Sequence, residues 1–238
     1  MNGIVDRYWA FVSGMVKKHR NHNNYEVVNS IGYILTEPHN VVRELYCRVW
    51  GYRQEFHYHQ LNPSRLSAAD KKCVPVLLLH GARSSQGDWL PLAEKLHNEY
   101  IGPVYTLNLE TDKNKDLQHI SDKIEEIRKQ YNIPGFKIHV IGHSMGGKYA
   151  TDLLKISPHT LGKVILMGCG IFTPSEFGNN IDKLYEIQGT RDFAIKGWEQ
   201  PLTEGHRKEV IEGHVGILFS AEAHEQIVLW LNQHTKQS

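Results

Sequence analysis

The sequence predicts an α/β domain in which a mostly parallel sheet is covered by helices on both faces. From residue 74 onward, short apolar runs rich in β-branched residues alternate with segments whose apolar residues recur at helical spacing. The apolar runs are nearly continuous, as is typical of strands buried on both faces of a parallel sheet. The chain has 238 residues, a length that suits one such domain with an appendage.

Residues 1–73 are predicted to form an N-terminal helical extension that packs on or covers this domain. Residues 3–18 place apolar side chains on one face of a helix and charged side chains on the other. Such a helix packs on the body of the protein, lies on a membrane surface or covers an apolar active site, and its basic end at residues 17–20 suits anionic lipid. Further patterns predict a helix within residues 27–35, a helix within 42–49, an edge strand within 56–61 and a loop over 62–72.

Residues 74–238 are predicted to form the main α/β domain, because strands and helices alternate regularly there. The predicted strands are residues 74–79, 103–109, 136–141, 163–167, 184–187 and 209–211. The predicted helices begin at residue 89 and cover residues 117–131, 150–156 and 227–231. Successive strands joined by helical crossovers run parallel, so their carboxyl ends are expected to meet at one edge of the sheet.

Charge and cysteine content argue against several classes of function. The 27 basic and 26 acidic residues give a net charge of +1, which offers no general attraction to nucleic acid. Cys47, Cys73 and Cys169 lie far apart without the spacing of metal or redox sites, so we interpret them as free thiols in a reducing compartment. The sequence has no apolar run long enough to span a membrane and no signal-peptide pattern. We therefore expect a cytoplasmic protein, with peripheral membrane contact through residues 3–18 as an open alternative.

The segment at residues 136–150 carries the strongest candidate for chemistry. A predicted strand turns into a predicted helix through residues 142–146, which read G-H-S-M-G and fit the G-x-S-x-G pattern. The abrupt turn strains its central residue, and side chains at the two glycine positions would collide, so Ser144 is expected to project at a helix N-terminus. His143 is expected to point into the packing of the turn. A glycine-rich turn without chemistry fits the five residues equally well, whereas a nucleophile requires partners elsewhere in the chain.

An oxyanion-binding loop is predicted directly after the strand at residues 74–79. That strand ends in His80-Gly81, and the next backbone N–H, that of Ala82, is a candidate donor. The N–H of Met145, directly after the nucleophile, is the second candidate. A plain turn at the end of a strand is the alternative interpretation.

An acid and a base are predicted downstream of Ser144, each just past the carboxyl end of a strand. Asp192 follows the strand at residues 184–187, and His214 follows the last strand. Asp182 and His206 are weaker candidates because each precedes its strand. The resulting order of Ser, Asp and His is the order found in α/β hydrolases.

The chain resembles the α/β-hydrolase superfamily over about residues 74–235, most closely its lipase and esterase branches. The resemblance rests on four motifs: V-L-L-L-H-G at 76–81, G-H-S-M-G-G at 142–147, G-T-R-D at 189–192 and G-H at 213–214. It implies the α/β-hydrolase fold, with Ser144 as nucleophile, His214 as base and Asp192 as the acid that orients it. It also implies that Ala82 and Met145 donate to the oxyanion and that neither a cofactor nor a metal is needed.

These features predict a serine hydrolase that cleaves carboxylic esters through an acyl-serine intermediate. Acyl transfer or thioester hydrolysis by the same triad remains an alternative, and a non-catalytic binding module on this fold is a further one. The expected partner is a small-molecule or lipid ester, with neither nucleic acid nor an obligate protein partner. Only residues 170–182 separate two of the predicted strands, which leaves no room for a large cap insertion. We expect an open cleft whose apolar residues bind the acyl chain, and the candidates are Trp89, Phe172, Phe193 and Leu218.

Overall fold

The computed structural model describes residues 42, 62–82, 84–110, 112–170, 173–192, 202 and 205–233. The elements predicted before residue 62, including the amphipathic helix at residues 3–18, lie outside the described residues except for the single helical position Val42.

Within the part of the chain that the structure describes, six parallel strands form one sheet, which confirms the predicted fold class. They are β1 (Val76–Leu79), β2 (Val104–Leu107), β3 (Ile138–His143), β4 (Leu161–Met167), β5 (Leu184–Gly189) and β6 (Arg207–Val210). Their order in the sheet is β2-β1-β3-β4-β5-β6, and every neighbouring pair is parallel. All carboxyl ends therefore lie at the same edge.

Helices cover both faces of the sheet, as predicted. They are α1 (Leu90–Asn98), α2 (Lys113–Tyr131), α3 (Met145–Ile156) and α4 (Ala221–Asn232). Because strand side chains alternate between faces, Leu77 and Val140 pack in a core with α2 and α3. Leu78 and Ile141, one position along, pack in a second core with α1 and α4. No described helix is long and apolar enough to cross a bilayer.

The first and last residues of helix α2 are determined by polar residues at its two ends. The Asp112 side chain accepts hydrogen bonds from two N–H groups of the first turn, so the helix begins before the apolar stripe that predicted it. Ile120 and Ile127, which belong to the apolar stripe, are buried. The helix ends at Asn132, which has a left-handed backbone conformation at φ 48°.

Residues 62–73 already contact the main domain. The N–H of Asn62 donates to Val104 O at the outer side of β2. The Asn62 side chain donates a hydrogen bond to the Thr106 hydroxyl and accepts one from the Thr106 N–H. Leu66 packs against the core, and the Tyr131 hydroxyl donates to Asp70 O at 3.3 Å. This part of the predicted extension therefore packs on the domain.

The connection from β4 to β5 contains two short 3₁₀ turns within Pro174–Lys183, separated by a kink at Gly178 (φ 51°, ψ −131°), and the sequence did not predict them. Their residues lack a regular apolar stripe, and Phe177 is the buried contact they make with the core. The short connection agrees with the expected absence of a large cap insertion at this point in the chain.

Candidate active site

The turn between β3 and α3 holds Ser144 in a strained conformation. Its backbone lies at φ 52° and ψ −118°, a region that costs a non-glycine residue on the order of 1–3 kcal/mol. The N–H of Ser144 donates to Met167 O at 3.0 Å, which ties the turn to β4. The Ser144 hydroxyl makes no capping hydrogen bond to α3, although the residue occupies the N-cap position. The hydroxyl is therefore not used to stabilise the helix.

Two glycines allow this turn to close. A Cβ atom on Gly142 would lie 2.4 Å from Gly146 O, and a Cβ atom on Gly146 would lie 2.1 Å from Leu79 O. Both distances are shorter than a non-bonded contact between carbon and oxygen allows, and the obstructing atoms belong to the backbone. The collision expected from the sequence is thus present at both glycine positions.

Asp192 and His214 form a buried hydrogen-bonded pair. His214 Nδ1 lies 2.7 Å from Asp192 Oδ2, and the Asp192 side chain is 1% exposed. Since the carboxylate can only accept, Nδ1 carries the proton, and Nε2 of the neutral ring keeps its lone pair. This is the tautomer that a general base requires.

The loops that carry this pair continue the pairing of β5 and β6 beyond the strands. Thr190 N donates to Val210 O at 2.9 Å, and Arg191 N donates to Glu212 O at 3.0 Å. The main chain therefore sets the separation of the two loops independently of the side chains.

Gly168 brings Ser144 close to the pair. A Cβ atom on Gly168 would lie 3.2 Å from both Asp192 Oδ2 and His214 Nδ1, so the pair rests on this residue. Met167, directly before it, accepts the hydrogen bond from Ser144. The structure thus places Ser144, Asp192 and His214 together at the carboxyl edge of the sheet.

The loop after β1 is held by the buried ring of His80. Leu109 N donates to His80 Nε2 at 2.9 Å, so Nδ1 carries the proton and donates to Gly81 O at 2.8 Å. Ser84 N also donates to Gly81 O. Because the peptide is planar and trans, fixing this carbonyl directs the N–H of Ala82 the opposite way.

This loop lies directly against the turn that holds Ser144. A Cβ atom on Gly81 would lie 3.1 Å from Ser144 Cβ. Met145 is the first residue of α3, where backbone N–H groups have no acceptor within the helix. Ala82 is exposed and Met145 is half-buried. The two predicted donors are therefore on segments that border Ser144.

Comparison with known proteins identifies the family. Residues 76–225, more than half of the 238-residue chain, match the alpha/beta hydrolase family. The chain belongs to the α/β hydrolase family. The hydrolase is also 49% identical over 41 residues to 2-hydroxy-6-oxononadienedioate/2-hydroxy-6-oxononatrienedioate hydrolase 1 of Dechloromonas aromatica. That match spans 17% of this chain and only 14% of the curated relative.

Solved structures share the fold of this α/β hydrolase. Lipase B of Aspergillus fumigatus superposes with a TM-score of 0.57 at 16% identity, over 75% of this chain and 57% of the lipase. Naproxen esterase (carboxylesterase NP) of Bacillus subtilis superposes with a TM-score of 0.51 at 16% identity, over 67% of this chain and 84% of the esterase. At such identities the likeness shows the fold alone.

Two of the four residues predicted to bind the acyl chain, Trp89 and Leu218, are buried in the core. Trp89 is 0% exposed and Leu218 is 2% exposed, and both pack in the core between the sheet and the helices α1 and α4. Neither presents a surface to a substrate, because each fills space between secondary-structure elements. Phe172 and Phe193 lie outside the described residues.

The weaker candidates for acid and base lie away from this edge of the hydrolase. His206 precedes β6, where its ring stacks on Tyr185 and Nδ1 donates to Leu184 O at 3.0 Å. Asp182 precedes β5. In the part of the chain that the structure describes, no group of three acidic, histidine or cysteine side chains is arranged to hold a metal ion.

Two buried polar features were not predicted from the sequence, namely the hydrogen bond of His143 to His214 and the burial of Glu186. His143 was expected to pack in the turn, and it is buried, but its hydrogen bond from Nε2 to His214 O, at 2.8 Å, joins residues 71 positions apart. Glu186 lies on β5, and its burial raises the pKa of its carboxyl group to about 7. Neither feature has a signal in the local sequence.

Cys169 is buried as expected, and burial raises the pKa of its thiol to about 12.

Proposed function

We propose that this protein is a serine hydrolase that cleaves carboxylic esters through an acyl-serine intermediate. The hydrogen bond of 2.7 Å between His214 Nδ1 and Asp192 Oδ2 carries this proposal, because it places the ring proton on Nδ1 and makes Nε2 the nitrogen that accepts a proton in the reaction. The strained turn at Ser144, whose hydroxyl does not cap α3, supports the assignment of the nucleophile.

In the proposed reaction, Ser144 Oγ bonds to the ester carbonyl carbon while His214 Nε2 takes the hydroxyl proton. Asp192 stabilises the resulting imidazolium. The N–H groups of Ala82 and Met145 bind the oxyanion, and each of these two donors increases the rate by roughly 10²-fold to 10³-fold. Collapse of the intermediate breaks the ester C–O bond, and the alcohol leaves with the proton from His214. Water then loses a proton to His214 while its oxygen bonds to the acyl carbon. The bond from that carbon to Ser144 Oγ breaks, His214 returns the proton to Oγ, and the acid leaves.

Esters are the first substrates to test, since two of the solved structures that share the fold are named a lipase and an esterase. Transfer of the acyl group to another acceptor, or hydrolysis of a thioester, uses the same residues and is an outcome of the tests below. A covering or membrane-contacting role of residues 3–18 stays a prediction.

Labelling with a fluorophosphonate tests the nucleophile. The full chain is expected to bind one equivalent, and Ser144→Ala is expected to lose both the label and ester turnover, by about 10⁴-fold or more. Ser157→Ala, at the other end of α3, is the matched control and should label normally. Unchanged ester hydrolysis by Ser144→Ala refutes the assignment.

A substrate panel tests the bond that is cleaved. p-Nitrophenyl esters of increasing acyl length are compared with matched thioesters, with and without an added alcohol as acceptor. Because the Dechloromonas aromatica relative is named for its action on 2-hydroxy-6-oxononadienedioate, that compound belongs in the panel. Turnover of this compound without turnover of any ester contradicts the ester assignment but leaves the nucleophile intact.

A further inference from the structure

His143 links the nucleophile turn to the backbone of the base. It is the last residue of β3, directly before Ser144, and its ring is 5% exposed. Its Nε2 lies 2.8 Å from the carbonyl oxygen of His214. The centroids of the two rings lie 4.7 Å apart at an angle of 45°, so the rings also touch.

The hydrogen bond fixes the tautomer of the neutral His143 ring. A carbonyl oxygen can only accept, so Nε2 must carry the proton, and in the neutral ring Nδ1 is bare. Nδ1 has no hydrogen-bond partner among the described residues and lies against Gly81, where a Cβ atom would be 3.1 Å from it. A second proton on Nδ1 would therefore be buried without an acceptor. Burial, together with the nearby His214, holds the pKa of His143 well below its usual value.

Three segments of the site meet at this one ring. The ring belongs to the nucleophile turn, it contacts the His80-Gly81 loop on one side, and it bonds the His214 loop on the other. The neutral ring also avoids repulsion with His214 when His214 becomes positively charged during the reaction. A hydrogen bond to the main chain, moreover, restrains where the base lies without competing for its Nε2.

We propose that His143 is a positioning residue, which sets the placement of His214 relative to Ser144 by donating a hydrogen bond from Nε2 to His214 O. This inference rests on the proposed function and adds a role that the Ser144, Asp192 and His214 set does not contain. His143 does not touch the reacting atoms. It acts through the loop that carries the base.

Three substitutions separate this role from simple packing. His143→Phe keeps a ring but removes the donor, His143→Gln keeps an amide N–H near the position of Nε2, and His143→Asn carries its N–H nearer the position of Nδ1. His139→Phe is the matched control, because His139 lies on the same face of β3 and is also 5% exposed, and its Nδ1 accepts from Lys163 N.

The experiment measures kcat and KM for a p-nitrophenyl ester, with the enzyme concentration taken from fluorophosphonate titration so that unfolded protein does not count. In His143→Phe, kcat is expected to fall by about 10-fold to 100-fold, the effect of a displacement of about 1 Å in a catalytic group, while KM changes little. His143→Gln should restore most of kcat and His143→Asn should restore less. His139→Phe should lower the melting temperature and leave kcat unchanged.

Each outcome decides the proposal. Equal kcat values in His143→Phe and in the unmodified chain overturn it, as does a loss in His139→Phe as large as that in His143→Phe. If His143→Phe does not fold, the order of kcat for the glutamine and asparagine variants decides, and equal values overturn the proposal. Absence of labelling at Ser144 in the unmodified chain overturns the proposed function itself, so the two failures are distinguishable.

Discussion

Replacing Glu186 by glutamine should change how the stability of this protein depends on pH. The Glu186 side chain is 2% exposed on β5, and Arg207 Nε lies 3.6 Å from its Oε2. Burial raises the pKa of the carboxyl group from 4.5 to about 7, although the positive charge of Arg207 opposes this and the negative charge of Glu209 adds to it. The folded protein thus binds this proton more tightly than the unfolded chain does.

The sign of the effect follows from that difference. The tighter binding of this proton in the folded protein adds to the free energy of unfolding, and the contribution is fully present below about pH 4.5. It is lost as the pH rises through about 7, because folding must then bury the charged carboxylate. The gap between the folded and unfolded pKa values corresponds to roughly 3 kcal/mol in the free energy of unfolding. Glu186→Gln has no charge to bury, so it should gain about this much relative to the unmodified chain between about pH 5 and about pH 8.

Urea unfolding at several pH values measures the effect, and the pH dependence of the variant is subtracted from that of the unmodified chain. The subtraction removes other titrating groups, including His139, whose pKa burial lowers to about 3. Glu209→Gln is the matched control, since Glu209 also pairs with Arg207 but its side chain is 60% exposed. Parallel pH curves for Glu186→Gln and the unmodified chain refute the reasoning.

Two further substitutions test the geometry of the turn and of the acid. Gly146→Ala should reduce the free energy of unfolding by about 1–3 kcal/mol or more in urea, because its Cβ would meet Leu79 O at 2.1 Å. Gly135→Ala is its control, since only a positive φ of 67° and no neighbouring atom opposes the added Cβ, so a loss as large as that of Gly146→Ala contradicts the steric explanation. Asp192→Asn should lower kcat by about 10⁴-fold in ester hydrolysis while the protein still unfolds cooperatively, because an amide can donate to Nδ1 of His214 and favour the wrong tautomer. A loss below about tenfold contradicts the role of the acid.

The sheet was predictable because its central strands carry their own signal. β3 carries Ile138, Val140 and Ile141, and β4 carries the four adjacent residues 164–167, all of them apolar and buried, as is typical of parallel strands covered on both faces. The edge strand β6 was predicted two residues late, at 209–211 instead of Arg207–Val210. Its charged side chains interrupt the apolar run, because one side of an edge strand faces solvent.

The site was predictable as far as chain order and strand ends determine it. Asp192 and His214 each follow a strand of a parallel sheet, so the topology alone brings them to the edge where Ser144 lies. Their catalytic roles stay predictions. The burial of Trp89 and the hydrogen bond of His143 were not predictable, because each depends on distances between segments far apart in the sequence.

The main-chain bonds between the loops after β5 and β6 have an entropic consequence. Thr190 and Arg191 are bonded to the backbone that leads to His214, so Asp192 and His214 lose little conformational freedom when they form their hydrogen bond. The conformational entropy of these two loops is already lost when the chain folds. It therefore does not reduce the binding free energy of a substrate molecule. Under the proposed function, a substrate needs to order only itself against an Asp192–His214 pair that is already aligned.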